Sequence, residues 1–457
     1  MLQQALGLLC LCLFSLHASA ISSTGSNVLV VLEPQLKKDD YSLFFAGLEE
    51  RGFNLTFKGP KDNRPTVTQH KAPSFSHVIL FAPTTKTLSA DLTSQAIVSL
   101  LSARPPVNFL IALSPTSTQL SSLAAEFSLS LPPPNIPLIS HFPPRDGPRT
   151  IVPVTIPERP DYLTPMFPVL TKTDAPILFS GVPHYLSDNP LLVEILRAPP
   201  ESFATDTESD KGGDAVYDAA EKGGEGLWAG NSLGLVTGFQ TRSGGRVVFS
   251  GGIEVFSDKF VKTEVNNLTT GNEQFAKDVT SWAFQETLQL RVDSASHHLQ
   301  WDANKTQRDR YTINDQVLFT MHISAWDPEK GEWVDAPRMD DIPLEFTMLD
   351  PYVRTVLFPV LNKPGEFSIG FRIPDRHGVF KFVVDYRRKG LSPLFYSSKV
   401  SVVPKRHDEY DRFLSAAWPY YAGALSTSIG FVVFAVVYLG GEVDRRAKGK
   451  GKSTKTE

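Results

Sequence analysis

Over the first 130 residues the apolar positions follow two rhythms in turn. Residues 28–32 (VLVVL) are apolar without a break, as in a parallel strand buried on both faces. Tyr41, Phe44, Phe45 and Leu48 then recur at helical spacing, with Asp39 and Asp40 placed to cap the helix start and Gly52 to stop it. Phe53, Leu55 and Phe57 alternate with period two. Residues 77–82 read as a buried strand, 92–101 as a helix, 107–113 as a strand and 120–127 as a helix. This alternation predicts an open α/β sheet. A proline-rich passage, 131–168, leads to a second mixed region with buried-strand candidates at 177–179 and 246–249 and a helix at 275–288. After about residue 290 the texture becomes β. Runs at 316–326, 344–349, 354–361, 366–373, 378–386 and 394–403 are separated by turns rich in Pro, Gly, Asp and Asn, which predicts an antiparallel sandwich.

Two apolar stretches fall outside these rhythms. The first twenty residues hold an apolar run too short to cross about 30 Å of hydrocarbon and end in Ala18-Ser19-Ala20, so they read as a secretory signal cleaved after Ala20. The n-region has no Lys or Arg, a departure from the usual signal. The second stretch, 413–441, has no Asp, Glu, Lys, Arg or His and is long enough to span a bilayer. Trp418, Tyr420 and Tyr421 sit at its start and Tyr438 near its end, as in interfacial aromatic belts. The tail 442–457 carries six basic and three acidic side chains, which the positive-inside rule places in the cytosol. The expectation is a single-pass type I membrane protein whose bulk lies in a lumen.

At 457 residues there is room for about three domains. The division expected is a signal peptide at 1–20, a Rossmann-like α/β domain without a phosphate loop at 21–150, a second α/β domain at 151–290, a membrane-proximal antiparallel β-sandwich at 291–405, a transmembrane helix at 413–441 and a basic tail at 442–457. The two cysteines, Cys10 and Cys12, both lie in the leader. The mature chain then has no thiol, which excludes disulfides, thiol catalysis and cysteine-held metals. The net charge of −4 gives no attraction for a nucleic acid.

Candidate chemistry is sparse. The turn after the first strand, Glu33-Pro34-Gln35-Leu36-Lys37, has no glycine, and Glu33 would repel phosphate, so no nucleotide is expected there. Gly223, Gly224 and Gly226 follow a polar stretch without the Walker lysine and read as a loop. His297 and His298, adjacent on a strand, point to opposite faces and read as structural. Asp39-Asp40 and Asp340-Asp341 read as local structure, Ser250 in Phe249-Ser250-Gly251-Gly252 is not a nucleophile elbow, and Phe380, Phe382 and Val384 read as core. Trp326 and Trp333 flank an apparent hairpin turn and read as sandwich packing before sugar stacking. Asn54, Asn267 and Asn304 head N-x-[ST] sequons and are candidate glycan acceptors.

Six segments carry a resemblance that runs through nearly the whole chain: YSLFFAGLEERGFNLTFK (41–58), GRVVFSGGIEVFSDKF (245–260), SWAFQETLQLRVDSASHH (281–298), LEFTMLDPYVRTVL (344–357), IPDRHGVFKFVVDYRRKG (373–390) and KRHDEYDRFLSAAWPYY (405–421). Together they resemble the beta subunit of the oligosaccharyltransferase, the DDOST type. The resemblance implies a non-catalytic subunit of the endoplasmic reticulum complex that transfers oligosaccharide from dolichyl diphosphate to Asn of N-x-Ser/Thr, scaffolding assembly and handling substrate. It implies partners among the other subunits, including a catalytic multi-spanning subunit and small or single-pass ones, with no catalytic, metal or cofactor-binding residue assigned to this chain. Ala422, Ser426 and Gly430 fall four apart in the span, a small-residue face suited to close helix packing against such partners. Retrieval by the tail is not expected, because Lys455 lacks the second lysine that a dilysine signal needs. The alternative is an independent membrane-anchored lumenal glycosidase or glycosyltransferase; a cell-surface adhesion receptor fits less well, because it would carry disulfides.

Overall fold

The computed structural model describes residues 22–69, 72–142, 147–156, 168–205, 228–265, 268–410 and 415–448. The leader with its cleavage point after Ala20, the glycines Gly223, Gly224 and Gly226, the sequon residue Asn267 and the tail beyond Lys448 lie outside them.

The first lobe is built on a nine-stranded sheet: β1 (Asn27–Leu32), β2 (Asn54–Lys58), β3 (His77–Phe81), β4 (Asn108–Ala112), β5 (Leu129–Ser130), β6 (His184–Leu186), β7 (Leu192–Arg197), β8 (Leu233–Gln240) and β9 (Arg246–Ser250). The strand order is β2-β1-β3-β4-β9-β8-β6-β5, with β7 also paired to β8. The parallel part has cores on both faces because its central strands β1, β3 and β4 carry apolar residues on both faces. Val28, Val30, Ile79 and Phe81 face one cluster, covered by α1 (Ser42–Glu50) and α4 (Asn272–Ala283). Leu29, Val31, Val78 and Leu80 face the other, covered by α2 (Ser94–Leu101) and α3 (Gln119–Glu126).

The expected break near residue 150 does not divide this sheet. Strand β9 pairs in parallel with β4 (Val247↔Phe109, Phe249↔Ile111), so the two α/β regions share one sheet. The physical reason is that β4 is buried along its length and needs a neighbour on each side, and β9, equally buried, supplies the second. Five strands, β2, β1, β3, β4 and β9, run parallel, and beyond them the sheet continues antiparallel.

The second lobe contains β10 (Leu290–Leu299), β11 (Arg310–Thr312), β12 (Gln316–Asp327), β13 (Glu332–Asp335), β14 (Ile342–Thr347), β15 (Pro351–Pro359), β16 (Glu366–Arg372), β17 (Gly378–Tyr386) and β18 (Leu394–Val403). Alternate residues of β12, β14 and β17 point inward and pack as two layers, with Phe319 on Phe382 at 5.2 Å and Phe346 on Phe380 at 4.7 Å between ring centres. Strand β15 joins the layers: its first residues pair with β14, and Phe358 and Pro359 pair with β16. The sandwich is not wholly antiparallel, since β11 runs parallel to β18. After it, α5 (Trp418–Lys448) forms the last element.

One buried cation sits at the joint between the lobes. Arg246, at the start of β9, is fully buried and pairs with no carboxylate among the described residues. Its guanidinium donates to the carbonyls of Trp282 (2.8 Å), Thr287 (2.9 Å), Leu288 (2.8 Å) and Gly390 (3.1 Å), and lies 4.9 Å from the Trp282 ring centre. Burial pushes it down to about 9, which leaves it protonated at neutral pH. Trp282 Nε1 donates to the same Gly390 carbonyl at 2.9 Å, and Gln240 Nε2 to Leu391 at 2.7 Å. A Cβ at Gly238 would lie 2.5 Å from the Trp282 ring, so only glycine fits beneath the indole.

Two histidines are buried in the first lobe. His77 stacks on Phe284 at 4.5 Å and its Nε2 bonds to the Gly25 carbonyl; His184 Nε2 bonds to the Thr237 hydroxyl at 2.7 Å. Burial pushes both imidazoles down to about 3.

Arg246→Met is expected to lose about 3 kcal/mol or more in urea unfolding of the detergent-solubilised chain, because four charge-assisted hydrogen bonds across the joint are lost at once. Protease sensitivity at 286–290 should rise with it. The unfolded chain binds a proton at each of His77 and His184 between about pH 6.5 and about 3 while the folded chain does not. Their contribution is thus complete above about 6.5 and is lost as pH falls, with a slope approaching about 2.7 kcal/mol per pH unit for two protons. Denaturant midpoints measured from pH 7 to pH 5 should fall, and His184→Gln should reduce the slope.

Candidate functional site

In an open α/β sheet the place for a ligand is the crevice at the carboxyl ends of the strands where the chain order reverses. Here that point lies between β1 and β3. It is filled by the chain's own carboxylate. Glu33 is buried and accepts from the Thr84 hydroxyl, the Thr85 hydroxyl (3.0 Å) and the Thr84 N–H (3.3 Å). The nearby start of α1 is filled in the same way: Asp258 accepts from the Ser42 hydroxyl (2.5 Å) and the Leu43 N–H (3.0 Å). Both seats that could receive a phosphate are held by side-chain anions.

This arrangement corrects one expectation. Asp39 and Asp40 do not cap the helix; they lie in a 3-10 turn, Lys38–Tyr41, ahead of it, and no side chain caps from there. The acceptor comes from Asp258, distant in sequence and adjacent in space.

The remaining candidates of the sequence are structural. His297 and His298 are both buried. His297 stacks on Phe382 at 4.6 Å, and its Nδ1 bonds the Tyr311 hydroxyl at 2.8 Å, while the same hydroxyl donates to the His297 carbonyl. Burial pushes His297 below the ordinary imidazole range. Asp341 accepts from the Tyr386 hydroxyl (2.9 Å) and pairs with Arg388 at 2.6 Å, while Asp340 pairs with Arg338. The Ser250 hydroxyl donates to the Gly252 carbonyl inside the core. Phe380, Phe382 and Val384 are fully buried. Trp326 and Trp333 face each other across β12 and β13 at 5.4 Å, and Arg291 covers the Trp333 ring at 4.4 Å.

Sequence reasoning missed one polar cluster, on β10, β12 and β13. His322 Nδ1 lies 3.2 Å from Asp293 and its Nε2 3.0 Å from Asp335; the Ser324 hydroxyl and Arg291 also reach Asp293. Burial opposes ionisation of Asp293, yet hydrogen bonds from Ser324, Arg291 and His322 hold its carboxyl below the ordinary range. Serine and histidine both bind the carboxylate and not each other, so the imidazole cannot take the hydroxyl proton, and the cluster is not a hydrolytic triad. The period-two pattern places 316–326 as a strand and His297 and His298 on another, but assigns no strand to Asp293 or Asp335, which hides the cluster. Among the described residues no group of three or more His, Asp or Glu is arranged to hold a metal.

The sequons Asn54, on the sheet-edge strand β2, and Asn304, in the turn after β10, are exposed. The span Ser415–Gly440 is 26 residues, about 39 Å of helix against about 30 Å of hydrocarbon. Phe431, Val432, Val433, Phe434, Val436, Val437 and Leu439 are all exposed, so the helix presents apolar surface all round and has no face for water. Ala422, Ser426 and Gly430 share one side of it; the Ser426 hydroxyl is satisfied by the Gly423 carbonyl within the helix.

Two family models match the chain. The OST48 N-terminal domain covers residues 19–286 and the OST48 middle domain residues 297–442, meeting near the joint that Arg246 closes. Among curated relatives, the "Dolichyl-diphosphooligosaccharide--protein glycosyltransferase 48 kDa subunit" of Danio rerio is 32% identical over 437 residues, covering 93% of this chain and 94% of the relative. The protein of the same name from Arabidopsis thaliana is 30% identical over 440 residues, covering 93% and 95%. That from Drosophila melanogaster is 32% identical over 436 residues, covering 93% of each. These relatives carry the label 48 kDa subunit where the sequence resemblance used beta subunit.

Proposed function

This chain belongs to the OST48 family, and from that premise we propose that it is a subunit of the endoplasmic reticulum oligosaccharyltransferase that organises the complex without performing the transfer. The observation that carries the reading is the match to 48 kDa subunits over nearly the full length of both chains. The division of labour is supported by the chemistry. Attack of an amide nitrogen on a lipid-linked sugar calls for a divalent cation held by carboxylates beside a membrane-level cavity. This chain offers one helix whose apolar span has no charged residue, and its conspicuous carboxylates, Glu33 and Asp258, are used up by internal hydrogen bonds.

In this reading α5 is the anchor, the two lobes are lumenal and the basic tail is cytosolic, following the positive-inside rule. The Ala422, Ser426, Gly430 face is where α5 packs on helices of neighbouring subunits. The domains act as units at 22–286 and 290–403, with the Arg246 joint between them. A glycan occupies Asn54, at the sheet edge; Asn267 and Asn304 remain further candidate acceptors.

Purification of the chain in mild detergent is expected to bring down a multi-spanning glycosyltransferase, and depletion is expected to strip N-glycans from several unrelated glycoproteins. Glycan transfer by the purified chain alone would overturn the reading. Asn54→Gln should abolish one glycosidase-sensitive step in gel mobility; an unchanged ladder would place that segment out of reach of lumenal glycosylation.

A further inference from the structure

The strand registers fix which end of the sandwich faces the anchor. Strand β18 ends at Val403, from which the chain runs on to α5. Following the pairings outward from there, Gly378↔Val402, Thr347↔Lys381, Arg372↔Gln316 and Leu299↔Val317 bring five features to this same end. They are the start of β17, the β14–β15 turn, the end of β16, the start of β12 and the end of β10. The Arg246 joint, through Gly390, lies beyond the opposite end of β17. About 30 Å of strand therefore separates the first lobe from the anchor exit.

Large apolar side chains stand uncovered at the anchor end. Leu349, in the β14–β15 turn, is 92% exposed, and Trp301, just past β10, is 69% exposed. Val379 and Tyr352 beside Leu349 are also exposed, and Tyr352 lies edge-on to Phe380 at 5.4 Å. Residues 404–414 cannot hold this end more than about 40 Å from the bilayer even fully extended. A reverse turn in which the Glu409 N–H donates to the Arg406 carbonyl shortens that reach. Charges of both signs are interspersed here, among them Arg308, Arg376 and Arg406 beside Asp302, Asp350 and Asp375.

We propose that the anchor end of the sandwich rests on the bilayer that α5 crosses, with Leu349 and Trp301 entering the lumenal headgroup region, so that the membrane surface is the sandwich's second attachment. Tryptophan and leucine beside a helix entry are suited to that interface, and because charges of both signs are interspersed around them the apolar side chains make the contact, independent of anionic lipid. The proposal rests on α5 spanning a bilayer, which flotation of the chain with lipid vesicles tests separately.

The test uses the full chain with Cys10→Ser and Cys12→Ser, reconstituted in phosphatidylcholine nanodiscs and labelled with an environment-sensitive fluorophore at Leu349→Cys, at Trp301→Cys or, as control, at Leu361→Cys. Leu361 is 86% exposed in the β15–β16 turn at the far end of the sandwich. Spin-labelled lipid is expected to quench the labels at 349 and 301 at least about twofold more than the label at 361, with a blue shift, and equally with or without phosphatidylserine. Equal, weak quenching at all three positions in discs that carry the chain would overturn the proposal. So would a blue shift without lipid quenching that appears only in the assembled complex, which would assign the patch to a protein partner. Two independent label sites keep the result readable if one variant fails to fold.

Discussion

A guanidinium removed from water, with no acid beside it, governs how this molecule is put together. Burying an unpaired cation costs several kcal/mol, and only donors fully used in good geometry offset it. Arg246 meets that condition at its two terminal nitrogens, which reach carbonyls at the end of α4, in the connection to the second lobe and in the loop at Gly390, while its buried Nε stays without a partner. Those acceptors converge in one relative placement of the lobes alone. Trp282 reinforces it by sharing the Gly390 carbonyl and by lying flat where Gly238 has no side chain. Orientation is thereby passed from the sandwich to the α/β sheet through this joint.

The local elements were legible because their apolar periods are clean. The parallel strands β1, β3 and β4, the helices after them and the six long strands of the sandwich all form within a few residues of the positions that period two and period 3.6 indicate. Pairing across large sequence separation was not legible. Nothing in residues 246–250 says that they complete the sheet begun at residue 27, because a strand buried on both faces carries no mark of its neighbour. The short strand β11 escaped for a different reason: three residues are too few to show a period, and its parallel pairing follows from the loop that precedes it.

Polar structure divides along the same line. Glu33 could be judged hostile to phosphate from its place after the first strand, and its burial against Thr84 and Thr85 gives that judgement a mechanism. The capping carboxylate was misassigned, since Asp39 and Asp40 have the right spacing while Asp258 has the right position in space. His297 was read as structural from strand alternation, and its stacking on Phe382 accounts for that role. The Asp293–His322–Asp335 cluster draws on three strands and had no sequence signature to find.

The exit of the anchor from β18 also sets how the two lobes bear load. Tension from the membrane enters along the axis of a strand whose whole length is laddered to β17 and whose last residues are laddered to β11. Such a pull loads those hydrogen bonds together, in shear, and does not peel them one after another. The fold is thus pulled in a direction that breaks no hydrogen bond of this ladder before the others, and detachment would begin elsewhere than at the tether.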